Sequence, residues 1–327
     1  MKEAIVKLLK ENKSDFISGE KISELFGVSR TAIWKYINIL KDEGYEIESV
    51  SRKGYRLISS PDILTYEEIE EWLNTEYIGR KIHYYDTIDS TNIKAKKIAY
   101  LEKEGTIVVA ESQSKGRGRL GREWQSPKGK GLWMSIILKP KVNPVHVAKV
   151  TLIGAAAVNL ALEDIGIDSY IKWPNDIVIN GKKICGILTE MSSELNMINY
   201  VVMGIGINVN LDKKDFSKEI LDKGTSLKIE AGKEINRKKL LATVLNKFEE
   251  LYTPFTEEED LSQTIEICRK NSILLEKDIR VINNGKERIG KAIDINDDGN
   301  LIVKYENGEI ESLLSGEISV RGLEGYV

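Results

Sequence analysis

Residues 172–188 read KWPNDIVINGKKICGIL, and this stretch decides how the middle of the chain folds. Pro174 stiffens a turn that carries a lysine, an amide and a carboxylate. Asn180-Gly181 is a hairpin turn signal, and the run after it contains Gly186, where a ligand or another backbone can lie close. The stretch therefore predicts two strands joined by a tight turn, with several polar groups presented at one pocket.

Strand-like and helical runs alternate on both sides of this hairpin, from residue 63 to about residue 270. The strand-like runs lie at 106–110, 132–138, 184–188 and 200–209. The helical runs lie at 93–103 and 147–162, and the second carries small residues at 154–157. Because the apolar residues recur with helical and strand periods in turn, the sequence predicts a mixed α/β domain over 63–270 in a chain of the α+β class.

The composition changes again after residue 270. Short strand-like runs lie at 279–283, 288–295, 300–305 and 309–313, and they are separated by Asn284-Gly285, Asp298-Gly299 and Asn307-Gly308. Each of these pairs is a hairpin turn signal. A small β-barrel over 271–327 is the predicted closure for so few short strands.

Residues 1–62 predict a winged helix-turn-helix. Apolar stripes mark two helices, and Ser29 can cap a third by accepting a hydrogen bond from one of its first free N–H groups. Gly44 ends this third helix, and two strands at 45–50 and 55–58 follow around a basic turn. Pro61 and the small polar residues beside it predict a linker to the central domain.

The third helix and the basic turn carry the candidate DNA contacts. Residues 28–41 contain no acidic residue, so the outer face of the helix can enter a major groove, and the cations of the turn, Arg56 included, can meet phosphates. The alternative is a three-helix scaffold with a solvated charged face. The predicted DNA-binding residues are Ser29, Arg30, Thr31, Trp34, Lys35, Asn38, Arg52 and Lys53.

The chain has 327 residues, of which 41% are hydrophobic and 30% are charged. These values fit a globular protein of two or three domains and not a disordered or fibrous chain. The net charge of −3 excludes a uniformly basic coat but allows a local basic face. The longest apolar stretch, 153–162, is short for a membrane span, and the first residues lack a signal peptide, so we expect a cytoplasmic protein without membrane contact.

Cysteine and histidine are scarce. Cys185 and Cys268 lie far apart without a CxxC pattern, which argues against a zinc site or a disulfide framework. His83 and His146 are the two histidines of the chain, so histidine-dependent triads have almost no candidates. We predict that any chemistry runs on arginine, lysine, aspartate and backbone groups, without a metal site built by the protein.

Residues 116–124 read GRGRLGREW and combine glycine with positive charge. The letters fit G-x-G-x-x-G, but a dinucleotide fingerprint needs a helix to start at its last glycine, and SPKGKG at 126–131 cannot sustain one. Glycines let the backbone approach an anion, and the forked donors of Arg117, Arg119 and Arg122 match phosphate or carboxylate. We predict a mobile loop that closes over a phosphate, with a flexible basic surface loop as the alternative.

Three other motifs each allow a structural and a functional interpretation. DSTN at 89–92 can cap a helix or gather polar groups for a ligand. GIGINV at 204–209 can be a tightly packed core strand, or a strand whose glycines leave a groove beside Asn208. Lys182 and Lys183 can be surface charges or can face a pocket.

Together the motifs resemble those of the biotin protein ligases. DSTN at 89–92, GRGRLGREW at 116–124, KWPND at 172–176, KKICGIL at 182–188 and GIGINV at 204–209 occur in the order and spacing of that family. With the winged helix added, the chain is similar to the bifunctional bacterial ligases that also repress the biotin operon. The resemblance implies a catalytic domain of the biotin/lipoate ligase type and a C-terminal barrel of the SH3-like type.

The resemblance also implies a two-step reaction. Biotin and MgATP form biotinyl-5′-AMP and pyrophosphate, and the adenylate then acylates a lysine of a biotin carboxyl carrier protein. ATP, biotin and Mg²⁺ are therefore the expected ligands. The expected partners are the carrier protein, operator DNA of biotin biosynthesis or transport genes, and a second copy of the chain, since the family represses as an adenylate-bound homodimer.

By the same resemblance, Lys183, Arg119 and Asp176 are the expected catalytic residues. The two cations would neutralise charge where a carboxylate meets a phosphate, and Asp176 would orient or deprotonate the incoming lysine amine. Leu120 stands where related loops often carry another arginine. The residues expected to bind biotin, ATP or the adenylate are Ser90, Thr91, Asn92, Gln113, Gly116, Arg117, Gly118, Arg119, Trp124, Lys183, Gly186 and Asn208.

Two other functions fit part of the sequence. A lipoate protein ligase would use a related fold and the same adenylate chemistry. A biotin-sensing transcription factor would keep the pocket and the winged helix without turnover, although Lys183, Arg119 and Asp176 argue against that interpretation.

Overall fold

A computed structural model describes residues 1–194, 197–283, 285–315, 318–323 and 325–327. The chain forms two compact units, Met1–Glu71 and Trp72–Val327. The domain boundaries predicted near residues 62 and 270 stay predictions.

The first unit contains three helices followed by a hairpin. Its elements are α1 Lys2–Glu11, α2 Gly19–Phe26, α3 Arg30–Asp42, β1 Glu46–Val50, β2 Gly54–Ser59 and α4 Tyr66–Ile69. Gly27 ends α2 with a φ of +63°, and the Ser29 hydroxyl accepts a backbone hydrogen bond in the first turn of α3. Ile33, Ile37 and Leu40 point from α3 into a core shared with α1, α2 and both strands. These elements confirm the predicted winged helix-turn-helix.

The second unit contains a large mixed sheet, a smaller antiparallel sheet and the helices that cover them. Its elements are β3 Ile82–Ile88, α5 Thr91–Ile98, β4 Ile107–Gln113, β5 Gly131–Leu138, α6 Val147–Glu163, β6 Tyr170–Lys172, β7 Asp176–Ile179, β8 Lys182–Glu194, β9 Met197–Asn208, α7 Leu227–Ala231, α8 Arg237–Glu258, α9 Ser262–Lys270, β10 Asp278–Asn283, β11 Lys286–Ile295, β12 Leu301–Tyr305, β13 Ile310–Leu313 and β14 Ser319–Gly322.

The large sheet has seven strands in the order β3-β4-β5-β9-β8-β7-β6. β3 and β4 are parallel, and the other neighbours are antiparallel. The hairpin predicted from residues 172–188 is present as β7 and β8. The sheet and its helices confirm the mixed α/β architecture of the central region.

One row of residues crosses the middle of this sheet and is called here the central row. Trp133 of β5 stands opposite Gly206 of β9, which stands opposite Gly186 of β8. Asp176 of β7 and Lys172 of β6 continue the row. Because residues directly opposite one another share a face of the sheet, these positions all face the same side. The two glycines leave a groove between Trp133 and Asp176.

The helices cover opposite faces of the large sheet. Ala95 of α5 packs against Val108 of β4, which lies on the face of the central row. α6 lies on the other face, where a Cβ at Gly154 would come within 2.8 Å of the Met203 Sδ atom. Met203 faces away from the central row because it neighbours Gly204 in β9. α8 packs on α6.

The segment Pro144–Glu163, which contains α6, is long and apolar enough to cross a membrane by length and composition alone. Inside the protein, 72% of its apolar window is buried. A helix that is apolar on all sides is also what a buried position between a sheet and another helix requires. We therefore interpret α6 as a core helix.

The smaller sheet is antiparallel, with the strand order β13-β12-β11-β10-β14. β10 to β13 confirm the four predicted strands, whereas β14 was not predicted. Asn284, in the first predicted turn, lies outside the described residues. Within the described part of the chain, β14 pairs with β10 alone and no ladder joins it to β13, so the sheet stays open where the sequence predicted a closed barrel.

Candidate functional site

A cavity of about 270 Å³ opens on the face of the large sheet that carries the central row. The start of α5, the 116–124 loop and the turn between β6 and β7 surround it. β14 and the residues around it complete the wall. All of these elements belong to the second unit.

Hydroxyl and amide groups form a hydrogen-bonded network at one end of the cavity. The Gln113 Oε1 atom accepts hydrogen bonds from the Thr91 N–H at 2.8 Å and the Thr91 hydroxyl at 3.2 Å. The Ser135 Oγ atom lies 2.8 Å from the Thr91 Oγ1 atom and 2.6 Å from the Asn92 Oδ1 atom. Ser90 is buried at the start of α5, and its side chain makes no capping hydrogen bond. This geometry favours the ligand-binding interpretation of DSTN over the capping one.

Asn92 is held by its neighbours on the sheet. Its Nδ2 atom donates to the Leu188 carbonyl at 3.2 Å and to the Glu190 Oε2 atom at 2.9 Å. The Lys96 Nζ atom in turn pairs with the Glu190 carboxylate at 2.6 Å. Both N–H bonds of the Asn92 amide are therefore used within the protein, so Asn92 shapes the pocket more than it donates to a ligand.

Trp124 covers the glycines of the central row. A Cβ at Gly206 would lie 2.6 Å from the Trp124 Nε1 atom, and one at Gly186 would lie 3.0 Å from the same ring. Trp133 meets Trp124 edge to face, with 6.4 Å between ring centroids. The Trp124 Nε1–H is buried without a hydrogen-bond partner among the described residues. The two indoles thus build an apolar wall that a larger residue at either glycine would break.

The 116–124 loop is a compact turn and not the start of a long helix. Its only helical part is a 3₁₀ turn at Arg119–Gly121, in which Leu120 is exposed and has a φ of +56°. The Gly118 N–H donates to the Arg122 carbonyl at 2.7 Å. This geometry agrees with the rejection of a dinucleotide fingerprint.

Arg119 connects three parts of the cavity wall. Its guanidinium donates to the Asn175 Oδ1 atom at 2.9 Å and to the Ile318 carbonyl at 3.0 Å. Burial lowers the pKa of Arg119, and the nearby Asp176 carboxylate opposes that shift. The loop arginine therefore joins the KWPND turn to the segment that leads into β14.

Lys183 and Asp176 form the charged centre of the cavity. The Lys183 Nζ atom lies 2.5 Å from the Asp176 Oδ1 atom and 5.2 Å from the centre of the Trp124 ring. Burial alone would raise the pKa of the Asp176 carboxyl, but Lys183, Tyr326 and Lys172 outweigh it and hold that pKa below its usual range. Asp176 is therefore an anion at neutral pH.

Lys172 is a second buried cation beside the same carboxylate. Burial lowers the pKa of Lys172 to about 8; Asp176 opposes this shift, and the charges of Lys183, Arg321 and Arg122 add to it. Lys172 therefore lies near three other cations, Lys183, Arg321 and Arg122, with the Asp176 carboxylate close by. Such an excess of positive charge suits a ligand that carries several negative charges, such as a polyphosphate.

The cavity brings together nearly all of the predicted catalytic and binding residues, whose individual roles stay predictions. Gly116 does not line it: a Cβ there would collide with the Trp124 carbonyl oxygen, so Gly116 shapes the base of the loop. Asn208 lies at the end of β9, where its Nδ2 atom donates to the Thr225 carbonyl at 3.0 Å. The predicted residues that line the cavity are Ser90, Thr91, Asn92, Gln113, Arg117, Gly118, Arg119, Trp124, Asp176, Lys183, Gly186 and Asn208.

Several residues of the site were missed by the sequence analysis. Ser135 lies on the predicted strand 132–138, whereas Glu190 lies on β8 beyond the predicted run 184–188, and both contact Asn92 because α5 packs on the sheet. Arg321 and Tyr326 reach the cavity because the smaller sheet places β14 beside it, and no local motif signals this. Lys172 belongs to the KWPND motif, but no catalytic or binding role was predicted for it.

In the first unit, the predicted DNA-binding residues lie on α3, at its capping residue Ser29 and on the β1–β2 turn. Arg56 differs from its neighbours because its guanidinium pairs with the Glu48 carboxylate at 2.6 Å and lies 4.7 Å from the centre of the Phe16 ring. The predicted contact of Arg56 with phosphate would therefore have to compete with these interactions. The exposed members of the predicted set are Ser29, Arg30, Thr31, Trp34, Lys35, Arg52 and Lys53, and Asn38 is half-buried.

The side chains that could bind a metal ion are those of His, Cys, Asp and Glu, and the two cysteines are also the thiols of the chain. Across the described ranges, no group of three or more His, Cys, Asp and Glu side chains is arranged to hold a metal ion. Cys185 and Cys268 are free and buried. Burial raises the pKa of Cys268 to about 12, and it raises the pKa of Cys185 as well.

Fold and site together define a ligase of the biotin/lipoate type that is joined to a winged helix-turn-helix. The sequence matches the Biotin/lipoate A/B protein ligase family over residues 84–208. It matches the HTH domain family over residues 2–56 and the Biotin protein ligase C terminal domain family over residues 274–321.

Relatives of similar length make the assignment more specific. The chain is 40% identical to the bifunctional ligase/repressor BirA of Bacillus subtilis (strain 168), over 98% of each chain. It is 31% identical to BirA of Escherichia coli (strain K12), over 95% of this chain and 94% of that one. A structure of the biotin protein ligase from Aquifex aeolicus in complex with biotin and ATP superposes with a TM-score of 0.65 at 32% identity, over 74% of this chain and 99% of that chain. The chain belongs to the family of bifunctional biotin protein ligases and repressors.

Proposed function

We propose that the chain joins biotin to AMP, transfers biotin to a carrier lysine and represses biotin genes when it holds the adenylate. The main support for the enzymatic proposal is that one cavity contains cationic side chains at one end and hydroxyl and amide groups at the other. Its cationic end contains Lys183 and Arg119, and its opposite end contains the Thr91–Gln113 network. Biotin has the matching chemistry, with a carboxylate at one end and a ureido ring at the other.

The ureido ring binds at the hydrogen-bonded end of the cavity. Ser90, Thr91 and Gln113 supply hydroxyl and amide groups there, and Ser135 supports them from β5. The apolar part of biotin lies against the indole wall that Trp124 forms over the glycines of the central row. This orientation aims the carboxylate at Lys183.

In the first step, a biotin carboxylate oxygen attacks the α-phosphorus of ATP. A new P–O bond forms, the bond between the α-phosphorus and the bridging oxygen breaks, and pyrophosphate leaves. Lys183 and Arg119 neutralise the negative charges that meet at this point, and donors of this kind are commonly worth about 3–4 kcal/mol at the transition state. Lys172, Arg122 and Arg321 attract the remaining phosphates.

In the second step, the neutral amine of the carrier lysine attacks the acyl carbon of the adenylate. A C–N bond forms, the bond from the acyl carbon to the phosphate oxygen breaks, AMP leaves and the amine proton passes to water. The amine must be neutral to react. The lowered pKa of Asp176 makes its carboxylate a weak proton acceptor, so we assign Asp176 to orienting the amine and not to deprotonating it.

Mg²⁺ enters this scheme as part of the nucleotide substrate. Because the described residues contain no built metal cluster, the phosphates and water supply most of its ligands. We further propose that the acceptor is a biotin carboxyl carrier protein and that the reaction takes place in the cytoplasm. The matches at 2–56, 84–208 and 274–321 support a division into domains at 1–62, 63–270 and 271–327.

Pyrophosphate release on addition of biotin and MgATP tests the first step. Mass spectrometry of a carrier domain after the same incubation tests the second, and we expect a single biotinyl adduct on one lysine. Release with lipoate but not with biotin would favour a lipoate ligase. Binding of biotin without pyrophosphate release would favour a sensor without turnover.

Repression follows from linkage between the adenylate and a second copy of the chain. If the adenylate orders loops that join two copies, it favours the dimer, and the dimer presents two winged helices to a two-part operator. Without carrier acceptor, the adenylate accumulates and transcription of biotin genes falls. Gel-shift titration of a biotin promoter with biotin and ATP tests this, and absence of a shift at micromolar protein would contradict it.

A further inference from the structure

Tyr326 lies in the reaction cavity, although none of the cavity motifs contains it. Its hydroxyl donates a hydrogen bond to the Asp176 Oδ2 atom. The centre of its ring lies 3.5 Å from the Lys172 Nζ atom. Burial and the Asp176 carboxylate together raise the pKa of Tyr326, so the phenol keeps its proton and remains a donor.

The register of the sheet makes this arrangement unusual. Lys172 and Asp176 are directly opposite each other in the β6–β7 ladder. A lysine and an aspartate in this relation attract each other and commonly pair. Here the Asp176 Oδ1 atom pairs with Lys183, and Lys172 lies against the ring of Tyr326. Tyr326 therefore contacts both residues, Asp176 through its hydroxyl and Lys172 through its ring, where a direct Lys172–Asp176 ion pair would be expected.

The segment around Tyr326 is fixed by close packing. Val327 packs against the backbone of Gly322 in β14, where a Cβ would collide with the Val327 carbonyl group. The Val327 side chain also approaches the β7–β8 turn, since a Cβ at Gly181 would lie 3.3 Å from its Cγ2 atom. These contacts fix Val327 and so restrain the neighbouring Tyr326 beside Lys172 and Asp176.

We propose that Tyr326 is a positioning residue that holds Lys172 away from Asp176 and so reserves the Asp176 carboxylate for Lys183. The hydroxyl satisfies the second oxygen of Asp176 with a neutral donor. The ring stabilises the Lys172 ammonium by a cation–π contact. The inference rests on the proposed function, because Lys183 contributes to adenylate formation only while its ammonium is held at the cationic end.

Two substitutions separate the hydroxyl from the ring. Tyr326→Phe keeps the ring and removes the donor, and we expect its kcat for pyrophosphate release to fall about tenfold, the usual effect of losing a hydrogen bond to a charged group. Tyr326→Leu removes both contacts, and we expect a loss of about a hundredfold. The affinity for biotin should change much less than kcat in both variants, because the ureido end is untouched and only the contact at the carboxylate end is altered. Tyr170→Leu, at an exposed position of β6, is the matched control and should behave as wild type.

A double substitution tests the separation of Lys172 from Asp176. Lys172→Met removes the residue that would compete for the carboxylate. In that background we expect Tyr326→Leu to cost about tenfold or less, compared with about a hundredfold in the wild-type background. Equal costs in both backgrounds would overturn the proposal, and so would a faster Tyr326→Leu variant, which would mean that the segment blocks the cavity.

A titration without turnover separates this inference from the proposed function. ¹³C-aspartate labelling reports the pKa of Asp176 by NMR, and Asp176→Asn identifies its signal. We expect Tyr326→Phe to raise that pKa, because a donor to the ionised form is lost; an unchanged value would overturn the inference. A wild-type protein that releases no pyrophosphate would refute the function, while this titration would still decide the role of Tyr326. The charged and titratable groups that interact electrostatically with Asp176 are Lys172, Lys183, Arg119, Tyr326 and, from the opposite face of β8, Cys185.

Discussion

Lys183 reaches the cavity from the second residue of β8, where its backbone N–H donates to the Lys223 carbonyl at 2.8 Å. The side chain is half-buried, and Tyr326 and Lys172 stay beside the Asp176 carboxylate when it is removed, so we expect the fold to stay intact. We expect Lys183→Ala to lower the rate of adenylate formation by about 10²–10³ while the melting temperature stays nearly unchanged. Lys182→Ala is the matched control, because Lys182 does not line the cavity. Wild-type pyrophosphate release by Lys183→Ala would contradict the assignment.

Because of Lys172, nucleotide binding should weaken as the pH rises above neutral. Its pKa is lowered to about 8, so its charge is present at pH 7 and is lost as the pH rises through 8. A bound polyphosphate favours the charged form, so the Kd for MgATP should increase about fivefold between pH 8 and pH 9, whereas it should be nearly flat below pH 7. Calorimetric titration at several pH values measures this. Lys172→Met should bind more weakly at pH 7 and lose the alkaline dependence, and a steep dependence in this variant would assign the effect to another group.

The residues that could be predicted from sequence are those whose chemistry is local. Trp124, Lys183 and Asp176 stand in motifs that combine charge with glycine or proline, and each lines the cavity. Tyr326 belongs to no such motif and reaches Asp176 only because distant strands place it there. Ser135 was missed for a similar reason, since its partner Asn92 lies on another element.

At the scale of elements, the 116–124 loop depends on one position where only glycine fits. A Cβ at Gly116 would collide with the Trp124 carbonyl oxygen and lie 2.9 Å from the Ser126 Oγ atom. We expect Gly116→Ser to displace Trp124 from the glycines of the central row and to speed dissociation of the adenylate about tenfold or more, measured by chase with unlabelled biotin and ATP. Gly121→Asn is the control, because no atom lies within 4 Å of a Cβ there and asparagine tolerates its φ of +72°. Equal dissociation rates in Gly116→Ser and wild type would contradict this account.

The predicted helix boundaries were accurate where the periodic apolar residues are buried, and they were wrong where those residues are exposed. α6 was predicted at 147–162 and observed as Val147–Glu163. The helix predicted at 93–103 ends at Ile98 in the structure. The prediction ran too far because Tyr100 and Leu101 continue the apolar pattern, although Leu101 is 90% exposed. The closure of the small sheet depends on how its last strand pairs, and short-range turn signals do not determine that pairing.

At the scale of the whole molecule, DNA binding and ligation should be separable by substitution. Arg30 lies exposed at the start of α3, in the unit Met1–Glu71, whereas the cavity lies entirely in the unit Trp72–Val327. We expect Arg30→Ala to weaken operator binding by about 1–3 kcal/mol in fluorescence anisotropy and to leave biotin transfer unchanged. Lys13→Ala, an exposed cation outside α3 and the hairpin, is the control. A loss of ligase activity in Arg30→Ala would show that the two functions share this residue.

The positive turn of the hairpin should determine the salt dependence of DNA binding. Arg52 and Lys53 are exposed there. We expect the double substitution Arg52→Ala/Lys53→Ala to reduce the slope of log K against log salt by about 2 per winged helix, without changing which sequence is preferred. Measurement at four salt concentrations decides this, and an unchanged slope would place the phosphate contacts elsewhere.

The burial of both native thiols allows a fluorescent label to be attached at a single chosen position. With Cys185 and Cys268 enclosed and protonated, maleimide dyes should ignore the unmodified chain. A reporter installed through Leu120→Cys, at a side chain that already points to solvent, would then carry the label alone. Its fluorescence would report conformational changes of the 116–124 loop in real time as biotin and ATP bind.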